Sequence, residues 1–293
     1  MTSFAMDVRN EIARVIPDKL CCKRSELASL LRMSRANFVS ESEFSFSTSN
    51  AAIARKILLL SNAIDPEIET RVERRKAYGL RKNNRYIIYA SRAEKISSVL
   101  NIFEGKMIRR DCCRKSFLRG AFLGSGSINK PESKYHFELT SREFIVASFI
   151  VDLLNHMDFS PKLCERGKKF IVYLNESESI LDFLSMVNAN RAAERFESAR
   201  NLKEIRGRVN MIVNLETSNM QRSAEATSRQ LEDIDKLENS DQIQKLSNKL
   251  IATINIRKEN PESSMSELAE ILQISKSGID FRFRKIHELA SKI

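Results

Sequence analysis

Two segments of the 293-residue chain match each other at a spacing of 91 residues. Residues 21–25 read Cys-Cys-Lys-Arg-Ser, residues 112–116 read Cys-Cys-Arg-Lys-Ser, and an apolar stretch follows each. An internal duplication restricts the fold strongly, because two copies of one unit bury their apolar faces against each other about a common axis. We therefore expect a pseudo-dimer within one polypeptide.

The two copies carry the same order of helix and strand patterns. Alternating apolar and polar residues predict strands, and apolar residues three and four apart predict helices. The strands are predicted at 44–49, 85–89, 135–141 and 169–173, and the helices after them at 51–63, 93–103, 143–157 and 177–187. The predicted fold class is α+β, a pseudo-two-fold αββαββα repeat domain over residues 1–190, with copies at about 20–104 and 111–188, followed by an all-α helix-turn-helix domain.

The first helix of each copy is the candidate for the seam between the copies. Its small and apolar residues favour close helix packing, and glycines let two backbones approach. The candidate seam residues are Ala28, Leu31, Gly120, Leu123, Gly124 and Gly126.

The composition favours a polyanionic partner. Lys and Arg number 49 against 38 Asp and Glu, which gives a net charge of +11. A protein this basic typically binds nucleic acid, although a well-solvated basic surface is the plainer interpretation. The chain lacks a secretory leader and any apolar run of about 20 residues, so we expect a cytoplasmic protein that does not cross a membrane. Phosphate-cradling glycine loops are also missing, and we predict no cofactor.

The C-terminal region, residues 218–293, follows a linker at 191–217 and is predicted to be helical. A helix is expected at 242–258, and a helix-turn-helix at about 262–293. Ser264 and Glu267 form a capping box for its first helix, and Ser275 caps the second, which runs from 276 to about 291. The turn at Gln273 departs from the glycine usual there. A plain helical hairpin is the alternative.

The second helix of such a motif enters the major groove, so its outward residues become DNA-binding candidates. Arg and Lys read guanine or hold phosphate, and Ser bonds to either. The candidates are Ser275, Lys276, Ser277, Asp280, Phe281, Arg282, Arg284 and Lys285.

The two cysteine pairs admit two interpretations. Cysteine is a small, readily buried hydrophobe, and the spacing is not that of a zinc knuckle, so the plain interpretation is core packing. The pseudo-two-fold axis can instead bring Cys21, Cys22, Cys112 and Cys113 together, where four thiols bind zinc or respond to oxidation. We predict packing, and no metal.

Residues 118–126, Leu-Arg-Gly-Ala-Phe-Leu-Gly-Ser-Gly, resemble the motif of the LAGLIDADG homing endonucleases. In that family each motif helix ends in a carboxylate that holds the metals that cut DNA. The equivalent positions here are Ser34 and Ser125, and serine is a poor ligand for a hard cation, so we expect no catalysis. A basic DNA-binding saddle is the part of that fold expected to persist, with a solvated face as the alternative. Its candidates are Arg71, Arg74, Arg75, Lys76, Arg109 and Arg110.

Nearly the whole chain resembles the WhiA family of bacterial sporulation and cell-division regulators. The resemblance rests on both cysteine starts, the 117–126 stretch, the Asn-rich linker and the helix from 275 to 286. It implies a protein that binds double-stranded DNA and acts in transcription, division, chromosome segregation or sporulation. We expect it to be associated with the nucleoid and to be a monomer, since the internal pseudo-dimer removes one reason to dimerise. RNA polymerase or a regulatory protein is a further candidate partner. Asp280 and Phe281 stand where relatives are expected to carry an amide and a histidine, and an acid facing DNA repels phosphate.

Two other functions stay open. The first is a metal-dependent nuclease that uses other acids, for example Glu41, Glu43 or Glu132. The second is a scaffold whose N-terminal domain binds a protein of the division or transcription machinery.

Overall fold

The computed structural model describes residues 3–76, 84–100, 108, 110–240 and 243–293. The chain divides into two compact units, Met1–Glu204 and Ile205–Ile293. Each has its own apolar core. Within the described residues, no helix combines the length and apolar character needed to cross a membrane.

The first unit contains both copies of the repeat. Its elements, in chain order, are α1 (Phe4–Ile12), α2 (Leu20–Ser34), β1 (Asn37–Phe38), β2 (Phe44–Thr48), α3 (Ala51–Ile64), β3 (Glu69–Arg75), β4 (Arg85–Ser91), α4 (Glu94–Val99), α5 (Asp111–Ser125), β5 (Gly126–Ile128), β6 (Phe137–Ser141), α6 (Phe144–Asn155), β7 (Lys162–Arg166), β8 (Lys169–Leu174) and α7 (Ser177–Met186). The predicted strands and helices are present, with bounds that differ by a few residues.

Two antiparallel sheets of four strands repeat one topology. The strand orders are β1-β2-β4-β3 and β5-β6-β8-β7. In β2, Phe44 and Phe46 are buried while Ser45 and Ser47 alternate with them, as expected for a strand with one face on a core. The α+β repeat fold predicted from the sequence is confirmed.

The seam between the copies is the contact of α2 with α5. A Cβ on Gly120 would lie 2.2 Å from the Glu26 carbonyl oxygen, and one on Gly124 would lie 2.7 Å from the Cβ of Met33. The two helices therefore pack backbone against backbone, as predicted. Gly126 serves another purpose, because a Cβ there would strike the ring of Phe122 on its own helix.

A buried group of three charges lies across the seam. Arg119 on α5 donates to the Glu26 carboxylate on α2 from Nε at 3.0 Å and from Nη2 at 2.7 Å. Lys56 on α3 pairs with the same carboxylate and donates to the carbonyls of Ile12 and Val15. Burial lowers the pKa of Lys56 to about 8. One carboxylate thus holds two buried cations from two further helices.

A helix of 49 residues, α8 (Asn190–Glu238), follows. The predicted linker and the helix predicted to begin at 218 are one continuous helix. The remaining elements are a 3-10 turn (Ile243–Lys245), α9 (Asn248–Glu259), α10 (Met265–Ile271) and α11 (Lys276–Ala290). Ser247 is the N-cap residue of α9, so the helix predicted over 242–258 begins later than expected.

The turn between α10 and α11 ends the first helix with a left-handed residue. Gln273 has φ of 50°. Its N–H donates to the Glu270 carbonyl and the N–H of Ile274 donates to the Ala269 carbonyl. This is the Schellman arrangement, in which glycine is the preferred residue because a Cβ is strained at positive φ. The departure noted at Gln273 is therefore a strained residue in an otherwise ordinary helix ending.

We expect Glu26→Gln to lower the free energy of unfolding by about 3–5 kcal/mol, because it leaves two buried cations without a counter-charge. Urea unfolding followed by circular dichroism measures the change. Glu73→Gln is the control, since Glu73 pairs with Arg75 on an exposed strand and should have little effect. Equal effects of the two substitutions would contradict a supporting role for the buried group.

Gln273→Gly should raise the free energy of unfolding of the C-terminal unit by about 1 kcal/mol, since glycine removes the strain at positive φ. The same denaturation experiment measures it. Gln230→Gly, within α8, is the matched control and should destabilise, because φ there is helical. A loss of stability at position 273 would refute the strain argument.

Candidate nucleic-acid interface

Both helices of the helix-turn-helix, α10 and α11, begin with a side-chain cap. Ser264 and Glu267 form the predicted capping box of α10, with the Glu267 N–H donating to Ser264 Oγ at 3.3 Å and the Ser264 N–H donating to Glu267 Oε2 at 2.7 Å. Ser275 Oγ accepts from the N–H of Gly278 at 3.1 Å and begins α11. These bonds leave the first turn of α11 exposed with a defined direction.

Four of the predicted DNA-binding residues share the exposed face of α11. Lys276, Ser277, Phe281 and Arg284 are exposed, and the Phe281 side chain is 65% accessible. Asp280 is half-buried and lines a groove with Arg284. The structure thus places two cations, a hydroxyl and an aromatic ring along the exposed face of the first three turns of the helix.

The groove beside this face is closed by the end of α8. His287 Nδ1 lies 2.7 Å from Asp233 Oδ2, which ties α11 to α8 within the C-terminal unit. Arg229 and Gln230 line the same groove. The groove therefore holds charges of both signs, and its cations are Arg229 and Arg284.

Two other candidates on α11 have partners within the C-terminal unit. Arg282 Nη1 donates to the Lys249 carbonyl at 3.4 Å and to Thr253 Oγ1 at 3.3 Å, both on α9. A step of one residue turns a helix by about 100°, and this places Arg282 against α9 rather than beside Phe281. Lys285 pairs with Glu288 at 3.0 Å, and this hydrogen bond lowers the pKa of Glu288. Arg282 is therefore a packing residue of the domain.

The sequence interpretation missed Arg257. Its side chain is 1% exposed, lies 5.5 Å from the centre of the Phe283 ring and donates to the Ser263 carbonyl at 2.7 Å. Burial lowers its pKa. Arg257 thus holds the loop before α10 onto α11. The signal was present, because Arg257 continues the apolar spacing of Leu250 and Ile254 on α9.

The saddle candidates on β3 lie on both faces of the first sheet. Arg71 pairs in register with Tyr89, and Arg75 with Arg85, whereas Arg74 pairs with the core-packed Tyr86. Directly opposed residues share a face. Arg71, Arg75 and the unpredicted Arg85 therefore lie on the face away from the helices, and Arg74 does not.

The remaining candidates of that group lie off the strands. Lys76 follows the end of β3. Arg110 is the N-cap residue of α5, so the length of that helix separates it from Ser125 by about 22 Å. Arg109 lies outside the described residues. Arg110 therefore lies at the end of the seam helices where the cysteines are.

The second sheet carries an equivalent basic face that the sequence interpretation missed. Arg166 pairs in register with Lys169, and Lys162 pairs with Tyr173. Buried Val172 and Leu174 alternate with Tyr173, which places these cations on the face away from the core. The alternation of residues along these strands was the sequence signal that could have revealed this face. In each sheet, the last pair of strands therefore carries two opposed cations. These are Arg75 and Arg85 in β3 and β4, and Arg166 and Lys169 in β7 and β8.

The serines at the C-terminal ends of the seam helices are engaged within the protein. Ser34 Oγ donates to the Leu30 carbonyl, and Ser125 Oγ accepts from the N–H of Thr140 at 3.2 Å. Glu41, Glu43 and Glu132 are exposed. Across the part of the chain that the structure describes, these glutamates belong to no group of three or more potential metal ligands.

The four cysteines of the repeat converge at the opposite ends of the same helices. The Sγ atoms of Cys21, Cys22, Cys112 and Cys113 all lie within 4.8 Å of one another. Burial raises the pKa of Cys113 and Cys22, while a hydrogen bond from Cys113 lowers the pKa of Cys21. The convergence that the pseudo-two-fold axis allows is therefore present.

Three family models match the chain in sequence order. The WhiA N-terminal LAGLIDADG-like domain matches residues 20–103, the WhiA LAGLIDADG-like domain matches 114–206, and the WhiA C-terminal HTH domain matches 209–290. Together these matches span both units.

Curated relatives and a solved structure match over nearly the full length. The probable cell division protein WhiA of Desulforamulus reducens is 39% identical over 311 residues, covering 99% of this chain and 96% of that protein. The protein of the same name from Bacillus mycoides is 37% identical over 309 residues, covering 99% and 97%. The crystal structure of full-length DUF199/WhiA from Thermatoga maritima has a TM-score of 0.63 at 23% identity, covering 100% of this chain and 99% of that one, and so shares the fold. The chain belongs to the WhiA family, with two LAGLIDADG-like repeats and a C-terminal helix-turn-helix domain.

Proposed function

We propose that this protein is a DNA-binding transcriptional regulator that acts in cell division, chromosome segregation or sporulation and does not cleave DNA. The observation that carries the proposal is the exposed face of α11, which begins in the first turn with Lys276 and Ser277 and continues to Arg284. In a helix-turn-helix this turn enters the major groove. The names of the relatives, probable cell division proteins, support the choice of process.

The recognition face supplies both kinds of contact that specific binding needs. Lys276 and Arg284 offer cations for phosphates or guanine, and Ser277 offers a hydroxyl. Phe281 offers an exposed ring for contact with a thymine methyl group. Asp280 opposes phosphate binding and restricts the sequences that the helix accepts, since a carboxylate accepts from cytosine.

The C-terminal ends of the two seam helices support a non-catalytic assignment. DNA cleavage by this fold uses carboxylates at the positions of Ser34 and Ser125. A neutral hydroxyl binds Mg²⁺ weakly, and both hydroxyls here bond to the backbone of their own domain. The glutamates of the nuclease alternative, Glu41, Glu43 and Glu132, are exposed, and among the described residues they belong to no group of three or more potential metal ligands.

Lys276→Ala and Arg284→Ala should each weaken binding of the full-length protein to its preferred genomic fragments by about tenfold or more. Loss of a phosphate contact should also reduce the slope of log affinity against log salt by about one, since one fewer counterion is released on binding. Fluorescence anisotropy over a salt series measures both quantities. The matched control is Lys258→Ala, which removes one cation from α9 that pairs with Glu238.

Asp280→Asn should have the opposite effect on DNA affinity in the same experiment. Removing an acid from the face should strengthen binding, and the same substitution at Asp235 on α8 should not. Wild-type binding by both alanine variants would overturn the assignment of α11 as the recognition helix.

We further propose that the outer faces of the two sheets contact the DNA backbone without reading sequence. Arg71→Ala should lower the salt slope by about one, whereas Arg74→Ala, on the opposite face of the same strand, should leave it unchanged. Lys169→Ala in the second sheet should match Arg71→Ala. Binding to mixed-sequence duplexes measures this, and equal effects of the two arginines would contradict it.

A further inference from the structure

Four cysteine side chains meet where the seam helices begin. Cys21 and Cys22 lie in the first turn of α2, and Cys112 and Cys113 lie in the first turn of α5. All four sulfurs lie within 4.8 Å of one another, and the thiols are free. The fifth cysteine, Cys164, lies on β7 outside this group.

The duplication explains the convergence. Since α2 and α5 are equivalent elements packed side by side, equivalent residues meet along the seam. Gly124 meets Ser34 at the C-terminal ends, so the helices run in the same direction and the cysteine pairs meet at the other end. The cluster is therefore fixed by the same backbone contacts that join the two copies.

The distances suit one tetrahedral metal ion. Zn–S bonds of about 2.3 Å place the four sulfurs about 3.8 Å apart. The sulfurs here lie within 4.8 Å, so small side-chain rotations close the site. Thiolate sulfur is a soft ligand that selects zinc and similar ions over magnesium or calcium.

The electrostatics of the seam also favour an anionic group at this end. Two parallel helices place two positive N-terminal dipole ends side by side. Their N-cap residues, Lys19 and Arg110, provide no side-chain acceptor for the free amides. A divalent ion with four thiolates carries a net charge of −2, and this charge complements both helix ends. At the opposite end, Arg9 donates to the Gly126 carbonyl, so the negative dipole end of α5 has a cation.

The surroundings provide both support and access. Buried Ser116 hydrogen-bonds to Cys22 and also accepts from Arg119 of the buried charge group. Metal sites in proteins depend on such hydrogen bonds to their ligands. Cys21 and Cys112 are only half-buried, and this gives an ion access from solvent.

We propose that Cys21, Cys22, Cys112 and Cys113 form a structural site in which four thiolates bind one divalent metal ion. The expected ion is zinc. Four protein ligands leave no open position, so the site joins the two copies of the repeat and has no catalytic role. Metal binding adds to the stability of the first unit because the unfolded chain lacks the arranged ligands.

The test uses full-length reduced protein and Co²⁺ as a spectroscopic probe. We expect about one equivalent of Co²⁺ to produce the absorption of a tetrahedral thiolate complex, and Zn²⁺ to displace it. Zn²⁺ should also raise the Tm, and a chelator should lower it. Cys21→Ser combined with Cys112→Ser should abolish the absorption, and Cys164→Ser should preserve it.

A second readout needs no variant. Zn²⁺ should protect four of the five thiols from alkylation, and mass spectrometry counts them. Reduced wild-type protein without the thiolate absorption would overturn the proposal. So would disulfides between the cysteine pairs of aerobically purified protein combined with no metal uptake after reduction, because the cluster would then be a redox pair.

Discussion

The contact between α2 and α5 is the constraint on which the first unit depends. Gly120 lets the α5 backbone reach the Glu26 carbonyl, and the Glu26 carboxylate is then close enough to hold Arg119. Lys56 completes the group from α3 and also binds the end of α1. Because this polar group is buried, its members must keep their partners, so one seam fixes the positions of four helices.

Because α2 and α5 run in the same direction, their N-terminal ends and their C-terminal ends carry different functional groups. Their N-terminal ends bring four thiols together, while their C-terminal ends carry Ser34 and Ser125 in place of the acids expected of a nuclease. Each sheet lies in its own copy and turns a basic face away from the helices. The first unit therefore carries its thiols, its serines and its strand cations at three separate places on one fold.

The C-terminal unit uses buried polar groups to hold α11 in place. Arg257 lies under Phe283 and holds the loop before α10, and Arg282 bonds to α9. His287 joins α11 to Asp233 on α8. With these contacts the exposed residues of α11 have a fixed direction, since a helix held by several buried partners cannot rotate freely.

The sequence by itself determined the repeat, the strand and helix order, the capped helix-turn-helix and the family, because these depend on local spacing and on residue identity. Alternation and capping residues act over a few positions. The tertiary structure decided what depends on register and helix rotation. It placed Arg74 and Arg71 on opposite faces, turned Arg282 inward, put Arg110 at the start of α5 and buried Arg257. It also brought together four cysteines from two copies, since only the packed seam sets their distances.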